Sequence, residues 1–459
     1  MIRFKNFSEA EAHDYFELIR MLYPQFVSGK DIEVINSSGK ITFLSQGLNQ
    51  VCHLPEGIDF QERRRRIKSY ILNSLQIQER VSSKFGILTG VRPIKLIIGL
   101  LDRFSPDQLL NYLKDYYCIE DLMARFLISV ALKEKSYFDS IDPKGYSVYI
   151  HIPFCPSRCD YCSYPIIKSS NKDKLQAYVD TLLSEIKSYR HLKKPPTSIY
   201  IGGGTPTSIG ESQLERILKT SRQVFGQGME FTVEAGRPDT LTGPIFSCLK
   251  EYGVTRISIN PQTMQDKTLS RLNRRHSVEE FLKAFYEAKQ LDFSINVDLI
   301  LGLPGENSLE MMDSLNRVMA LDTDNITVHT LSLKNGSRLF QEQEYYTNSE
   351  IISKLINHVY QSLGNKGYKP YYMYRQKRTL GNGFNAGYSK EGRESIYNML
   401  MMDEQQSILG FGMSSSSKFY YPESNRLEKV LQYKNLRDYQ EHWQDKNSLK
   451  QAYMEDFKW

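Results

Sequence analysis

Cys155, Cys159 and Cys162 close an apolar run, VYIHIPFCPSRCDYCSY at 148–164, with the spacing CxxxCxxC. Half of the chain's six cysteines fall within eight residues. Thiols clustered in this way are metal ligands by type, and their number narrows the metal. Structural zinc takes four protein ligands, usually from two Cys or His pairs, and no second pair stands near this loop. His151 lies in the strand-like run, four residues before Cys155 and outside the loop. A cubane [4Fe–4S] cluster takes one thiolate per iron, so three cysteines leave one iron open to a ligand from outside the chain. The plain alternative is three buried or disulfide-bonded thiols, since cysteine is often simple buried filler.

The residues around this loop resemble a known family. CxxxCxxC after a first strand resembles the radical S-adenosylmethionine (SAM) enzymes. YIHIPFC, YIGGGTPT at 200–207 and NVDLILGLPG at 296–305 together resemble the oxygen-independent coproporphyrinogen III oxidases, also called coproporphyrinogen dehydrogenases. PYYMYRQKRTLGNGFNAGY, ILGFGMSSSSK and the upstream GILTGVRPIKL are similar to the HemZ-type branch. The likeness covers most of the chain and is strongest over 146–420.

The resemblance implies a [4Fe–4S] cluster on Cys155, Cys159 and Cys162, its open iron taken by the amino and carboxylate groups of SAM. It implies one SAM or two. Tyr149, read as the catalytic position, and Gly203 match residues beside the first SAM. Gly204, Thr205 and Tyr161 match contacts to a second. Gln262, Arg274 and Asp298 match polar residues of the cofactor pocket, with the spacing of twelve from Gln262 to Arg274 preserved. Glu234, closing a strand in FTVEAG, suits ribose hydroxyls as an acceptor; a helix cap is the structural alternative. Arg274 is expected to neutralise the cluster or the SAM carboxylate, whereas Arg271 and Arg275 read as surface charges. The implied reaction begins with an electron from the cluster, supplied by a donor such as flavodoxin or ferredoxin. It yields a 5′-deoxyadenosyl radical that takes a hydrogen atom from a propionate of coproporphyrinogen III; loss of carbon dioxide and one electron leaves a vinyl, and two rounds give protoporphyrinogen IX. One departure stands out: Tyr164 occupies the place of a further cysteine found in the fully oxidative members. Asn260 and Pro261 before Gln262 are another. A heme-binding chaperone and a radical SAM enzyme acting on heme itself therefore stand as alternatives.

Elements of the right kind surround these residues. Strand-like runs at 146–152, 197–203, 229–235, 255–262, 293–301 and 325–332 alternate with helical stretches such as 172–190, 211–225 and 308–321, the pattern of a parallel βα array. Six repeats are too few for an eight-stranded barrel and suit the partial (βα)6, TIM-like barrel that the resemblance implies. Chemistry in βα barrels sits at the carboxyl ends of strands. The cysteines, GGGTPT, Glu234, Gln262 and Asp298 all fall there. Alternation also puts Tyr149 and His151 on one face. The fold class is thus α/β, with a mostly helical α+β domain over 1–142, the barrel over 143–335 and a substrate-side extension over 336–459. In the first domain Ser8 with Glu11, and Ser105 with Pro106 and Gln108, predict helix starts, and DIEVINSSGKITFL predicts two strands about a turn.

Composition sets the outer limits. With 59 basic and 53 acidic residues the net charge is only +6, too mild for a nucleic-acid partner. The one dense run, Arg63–Arg66, reads as a solvated helix face. IKLIIGLL at 94–101 is far short of the ~20 residues of a membrane span, and no secretory signal is visible. Cys52, Cys118 and Cys248 are scattered as reduced thiols are. A cytoplasmic monomer without a membrane span is expected. Arg375, Lys377 and Arg378 among tyrosines suit a flat macrocycle bearing propionates, with a basic loop packed on the barrel as the alternative.

Overall fold

The computed structural model describes residues 2–22, 31–37, 39–45, 48–79, 83–342, 349–376, 379–457 and 459, and divides into two compact units. The first comprises the chain to Lys133 together with residues 349–358 and Met373–Phe384. The second comprises 134–342, Val359–Tyr372 and the chain from Asn385 onward. The segment 336–459, expected as one extension, is therefore shared between them.

The first unit opens with the capping box read from the sequence. The Ser8 hydroxyl accepts from the Glu11 backbone N–H at 3.4 Å and the Glu11 carboxylate accepts from the Ser8 N–H at 3.2 Å, starting helix Glu9–Leu22. A second box at Ser105 and Gln108, with Pro106 in the first turn, starts helix Pro106–Tyr117. The unit also holds a four-stranded sheet. Ile2–Lys5 pairs parallel to Ile32–Ser37, and two antiparallel steps add Lys40–Ser45 and Leu48–His53. Sequence reading found the middle two strands. The outer two carry one alternately buried face at most, so their pattern is faint. Tyr15, Leu18, Val34, Phe43, Ile67 and Ile71 form the core under this sheet.

In the second unit six strands run parallel in chain order: β1 (Tyr146–Ile152), β2 (Ser198–Gly203), β3 (Glu230–Glu234), β4 (Arg256–Ser258), β5 (Ser294–Leu301) and β6 (Asn325–Thr330). Helices α1 (Lys172–Lys187), α2 (Glu211–Phe225), α3 (Gly243–Glu251), α4 (Val278–Gln290) and α5 (Ser308–Ala320) connect them. Asn171 caps α1, and capping boxes at Ser277/Glu280 and Asn307/Glu310 start α4 and α5, so each helix begins where its strand-end loop finishes. Later strands extend both edges: β7 (Lys369–Tyr374), β8 (Asn385–Ser389), β9 (Ser407–Phe411), β10 (Ser416–Tyr421) and β11 (Arg426–Leu431). Among the described residues the sheet order is β7-β8-β6-β5-β4-β3-β2-β1-β9-β10-β11. β9 lies parallel to β1, so the parallel array has one strand more than the six repeats imply.

Register decides what faces inward. Tyr149 pairs with Tyr200 and His151 with Gly202; Glu234 pairs with Ser258, and Asp298 with Thr327. Because side chains alternate with period two, His151, Glu234, Asp298 and His329 share the inner face near the carboxyl ends. No helix among the described residues is long and apolar enough to cross a membrane.

Candidate functional site

The cysteine loop leaves β1 through Phe154–Cys155, which forms a short parallel ladder with Ile167–Lys168. The loop is anchored on the glycine run at the end of β2. Gly204 N–H donates to the Ile152 carbonyl and Thr205 N–H to that of Phe154, both at 2.7 Å. Two of these glycines are demanded by space and backbone. Gly203 has φ +112°, and a Cβ there would meet the His151 ring at 2.6 Å. A Cβ on Gly204 would stand 2.5 Å from the Phe154 carbonyl oxygen and 3.0 Å from the Cys155 sulfur. A larger residue at either position displaces the strand end or the first thiol.

The segment after β4 braces the other side of the loop. Ser157 Oγ donates to the Asn273 carbonyl at 3.3 Å, and Asn273 Nδ2 to the Arg158 carbonyl at 3.1 Å. Beyond them two buried guanidiniums converge on Cys159. Arg274 Nη1 donates to Cys159 Sγ at 3.6 Å and to Tyr161 Oη at 3.1 Å, while Nη2 donates to the Gly236 carbonyl at 2.6 Å and to that of Asn260. Arg237 Nη1 lies 3.8 Å from the same sulfur and 3.1 Å from Ser157 Oγ, and its charge is paired with Asp239 at 2.8 Å. Burial opposes the charge of Arg274, yet Tyr161 and Cys159 beside it hold its pKa above the ordinary arginine value. Cys155 Sγ is 3.3 Å from Thr205 Oγ1, and burial pushes this thiol up to about 11. Arg237 escaped sequence reading; its only signal is its position three residues past the end of β3.

These residues fit an iron–sulfur cluster. The donor set is three thiols on one loop, with cationic N–H groups aimed at one sulfur, and hydrogen bonds to sulfur are a principal control of cluster potential. The three thiols act on one another electrostatically. Among the described residues no three His, Cys, Asp or Glu side chains converge to hold a single ion, and a cubane spreads its thiolates over separate irons.

The rest of the rim is polar and only partly satisfied. Glu234 accepts from Tyr200 Oη at 2.6 Å and from Gly203 N–H at 3.2 Å, and burial raises its carboxyl to about 7. Gln262 sits at φ +70° in a bridge to Leu299, its Oε1 buried without a protein partner. Asp298 accepts from Asn296 Nδ2 at 2.7 Å and lies 3.6 Å from His329 Nε2. Tyr149 Oη meets His151 Nδ1 at 3.0 Å; burial takes His151 down to about 4, so the ring is neutral near pH 7. Below this rim Tyr200 stacks on Tyr397 with centroids 4.4 Å apart, an aromatic contact from the C-terminal region that motif reading did not reveal.

The sequence-predicted residues thus come together, with two qualifications. Tyr164, in place of the extra cysteine, is 55 % exposed beside the loop. Arg375 is not a substrate cation: it is buried, donates to the Leu88 carbonyl at 2.7 Å and to Asn382 Oδ1 at 2.9 Å, and burial lowers it to about 10. Its guanidinium meets backbone carbonyls of its own unit. Lys377 and Arg378 lie outside the described residues. Arg271 and Arg275 are exposed, as surface charges are.

Comparison with known proteins gives the same picture. Residues 149–318 match the Radical SAM superfamily. The chain is 34% identical over 410 residues to the oxygen-independent coproporphyrinogen-III oxidase-like protein HemZ of Bacillus subtilis (strain 168), covering 86% of this chain and 82% of that protein. It is 32% identical over 286 residues to the heme chaperone HemW of the same organism, covering 58% of this chain and 69% of that one. Among solved structures, coproporphyrinogen III oxidase (HemN) from Escherichia coli superposes with a TM-score of 0.54 at 20% identity, over 69% of this chain and 73% of that one, a likeness of fold.

Proposed function

The chain belongs to the oxygen-independent coproporphyrinogen-III oxidase-like family of the radical SAM superfamily, and from that premise we propose that it converts two propionates of coproporphyrinogen III to vinyls, giving protoporphyrinogen IX. The family implies a [4Fe–4S] cluster and SAM. When bound, they supply reductive cleavage of SAM to methionine and a hydrogen-abstracting 5′-deoxyadenosyl radical. The observation that carries the reading is the convergence of Arg237 and Arg274 on Cys159 beneath a rim of Glu234, Gln262 and Asp298.

In this reading Cys155, Cys159 and Cys162 hold the cluster, and the N–H groups of Arg274 and Arg237 stabilise negative charge on the Cys159 sulfur. Gly203 and Glu234 receive the first SAM, Glu234 accepting from ribose hydroxyls in its ionised form. Tyr149, fixed by His151, lines that position. Gly204, Thr205 and Tyr161 serve a second SAM, and Gln262, Arg274 and Asp298 are polar residues of the cofactor pocket. The chain's remaining tasks are to exclude water and to hold the substrate carbon close to the radical. A partner such as flavodoxin or ferredoxin supplies the electron. The protein is read as a cytoplasmic monomer, with the barrel of 143–335 as its catalytic domain.

A second reading, a heme carrier that keeps the cluster but does not decarboxylate, is favoured by Tyr164 and by the likeness to HemW. Anaerobic turnover of the reconstituted protein with SAM, a reductant and coproporphyrinogen III separates the two. The oxidase reading expects vinyl porphyrin and 5′-deoxyadenosine together, both abolished by Cys159→Ala. Bound cluster and SAM without vinyl product would overturn it, and heme offered to the same sample then tests the carrier.

A further inference from the structure

Lys334 lies four residues past the end of β6, in a loop that packs against the cysteine segment. Its backbone is fixed: the Lys334 carbonyl accepts from Ser337 N–H at 2.8 Å and from Ser337 Oγ at 2.9 Å. The two loops are also tied to each other. Arg158 donates through Nη2 to the carbonyls of Cys162 and Gly336, and Leu339 N–H donates to the Asp160 carbonyl at 3.1 Å. A Cβ on Gly336 would stand 3.0 Å from the Ser163 carbonyl oxygen, so the approach is close. These ties hold the Lys334 backbone beside the cysteine loop.

The side chain is positioned but not paired. Nζ lies 6.0 Å from the centre of the Tyr164 ring, within cation–π range, and the residue is half-buried. Among the described residues Nζ makes no hydrogen bond and no ion pair. Burial lowers its pKa, opposed by the Cys162 thiol rather than by any carboxylate. Neither loop has a carboxylate to spare: Asp160, the one acidic residue in 153–171 and 331–337, pairs with Arg338 at 3.7 Å. An ammonium partly withdrawn from water without a counter-ion is stabilised by an anion brought from outside the chain.

Tyr164 supplies the other half of the site. It is 55% exposed, and its hydroxyl is an electrostatic neighbour of Glu234, Tyr149 and Tyr397 on the rim as well as of Cys162. Tyr164 thus stands beside both Lys334 and the rim. An exposed aromatic side chain next to an uncompensated cation suits a ring that bears carboxylates, the ring packing on the tyrosine and a carboxylate taking the ammonium. We propose that Tyr164 and Lys334 form a docking pair for a tetrapyrrole, Tyr164 against the macrocycle and Lys334 Nζ donating to one of its propionates. The inference rests on the reading of the ligand as a tetrapyrrole, which the oxidase and the carrier share. Tyrosine in place of the extra cysteine then adds contact area for the ring.

Equilibrium titrations of the reconstituted full chain test it, with three ligands: coproporphyrin III, its tetramethyl ester, which keeps the ring and loses the charges, and SAM. Iron content is measured in every variant. Lys334→Met is expected to weaken coproporphyrin III by roughly tenfold, the loss of one charge-assisted bond at a partly exposed site, with the ester, SAM and iron content at native values. Lys334→Arg should restore most of that affinity. Tyr164→Leu should weaken acid and ester alike by about fivefold, and Tyr164→Phe should weaken neither. Coproporphyrin III bound equally by the native protein and Lys334→Met overturns the proposal and leaves the tetrapyrrole reading standing. A loss of SAM affinity with coproporphyrin III binding unchanged overturns it in favour of the amino-acid carboxylate of SAM, and a loss of iron in Lys334→Met overturns it in favour of a purely structural role in the cysteine loop. A native protein that binds neither the acid nor the ester overturns the tetrapyrrole reading and the docking pair with it.

Discussion

The arginine run of the first unit and the arginine pair of the second differ in a way that sequence density conceals. Arg63 to Arg66 are four consecutive cations on one helix, yet each is answered by a carboxylate of the same unit: Arg63 by Glu11 at 2.6 Å, Arg64 by Asp14 at 2.7 Å, Arg65 and Arg66 by Glu62. Asp14 also takes Lys68 at 2.8 Å. Arg237 and Arg274 are far apart in sequence, the one three residues past the end of β3 and the other in the segment that follows β4. They meet at one thiol, and the side chains across from them are left short of partners. A cluster of like charges already neutralised by its own unit is architecture; charges converging on a sulfur proposed as a cluster ligand are chemistry.

Arg274→Met is the hardest test of that contrast. Outer partners of metal ligands typically cost 10- to 100-fold when removed, and Arg274 also spans the Gly236 and Asn260 carbonyls and Tyr161, so a loss of about 100-fold in SAM cleavage is expected. Iron content and the potential of the reduced cluster are read alongside, because a merely structural arginine would leave the potential unchanged in whatever protein folds. Arg237→Met, with one N–H toward the sulfur and a retained Asp239, should shift the potential in the same direction by less. An unchanged potential in both variants would break the comparison.

Glu234 sharpens it. Burial has raised this carboxyl to about 7, so it is ionised above that pH and protonated below. If it accepts ribose hydroxyls as a carboxylate, SAM affinity should fall as pH drops through about 7. Glu234→Gln should cost roughly tenfold at pH 8, the value of one charge-assisted bond, and much less at pH 6. A pH-independent affinity in the native protein would remove Glu234 from the cofactor site.

Much of this was legible in the residues. The six parallel strands showed as apolar runs of strand length separated by helical periodicity, and the cysteines, the glycine run and Glu234 stood at their carboxyl ends because strand ends are where a βα array exposes side chains; Asp298, expected there too, lies within β5, three residues before its end. Arg237 also stands near a strand end, but a single Arg before a Pro carries no spacing signal; only its approach to Cys159 gives it meaning. Arg375 failed in the opposite sense. Its tyrosine-rich, basic surroundings suggested a ligand surface, whereas Nη1 of its guanidinium holds the backbone carbonyls of Leu88 and Gly90 and Nη2 donates to Asn382 Oδ1. Composition does not distinguish a guanidinium facing a ligand from one facing main chain.

Glu134 extends the contrast to a second buried carboxylate, one that faces no ligand group. It is fully buried, and burial together with Asp403 pushes its carboxyl well above the usual range. The folded-state value is raised, so this group's contribution to stability is complete below the unfolded value near 4.5 and is lost as pH rises through the raised one. Glu134→Gln should therefore raise the denaturant midpoint at pH 8 while changing it little at pH 4, with SAM affinity unaffected. A cofactor phenotype would place Glu134 with Glu234 instead.

The smallest effect belongs to Arg64→Ala. Its partner Asp14 keeps Lys68 and Thr89 as donors, and the Arg64 side chain is 37% exposed, so solvent already screens much of the pair. Exposed pairs of this kind contribute about 1 kcal/mol or less, and the loss should shrink further in high salt as the remaining charges are screened. Denaturant unfolding at two salt concentrations reads the stability change, and iron content with SAM binding reads the site. The expected result is a marginal, salt-sensitive destabilisation with both site measurements at native values. A loss of bound iron or of SAM affinity would show that the conspicuous run acts on the chemistry after all, and that paired charge in the first unit is not simply architecture.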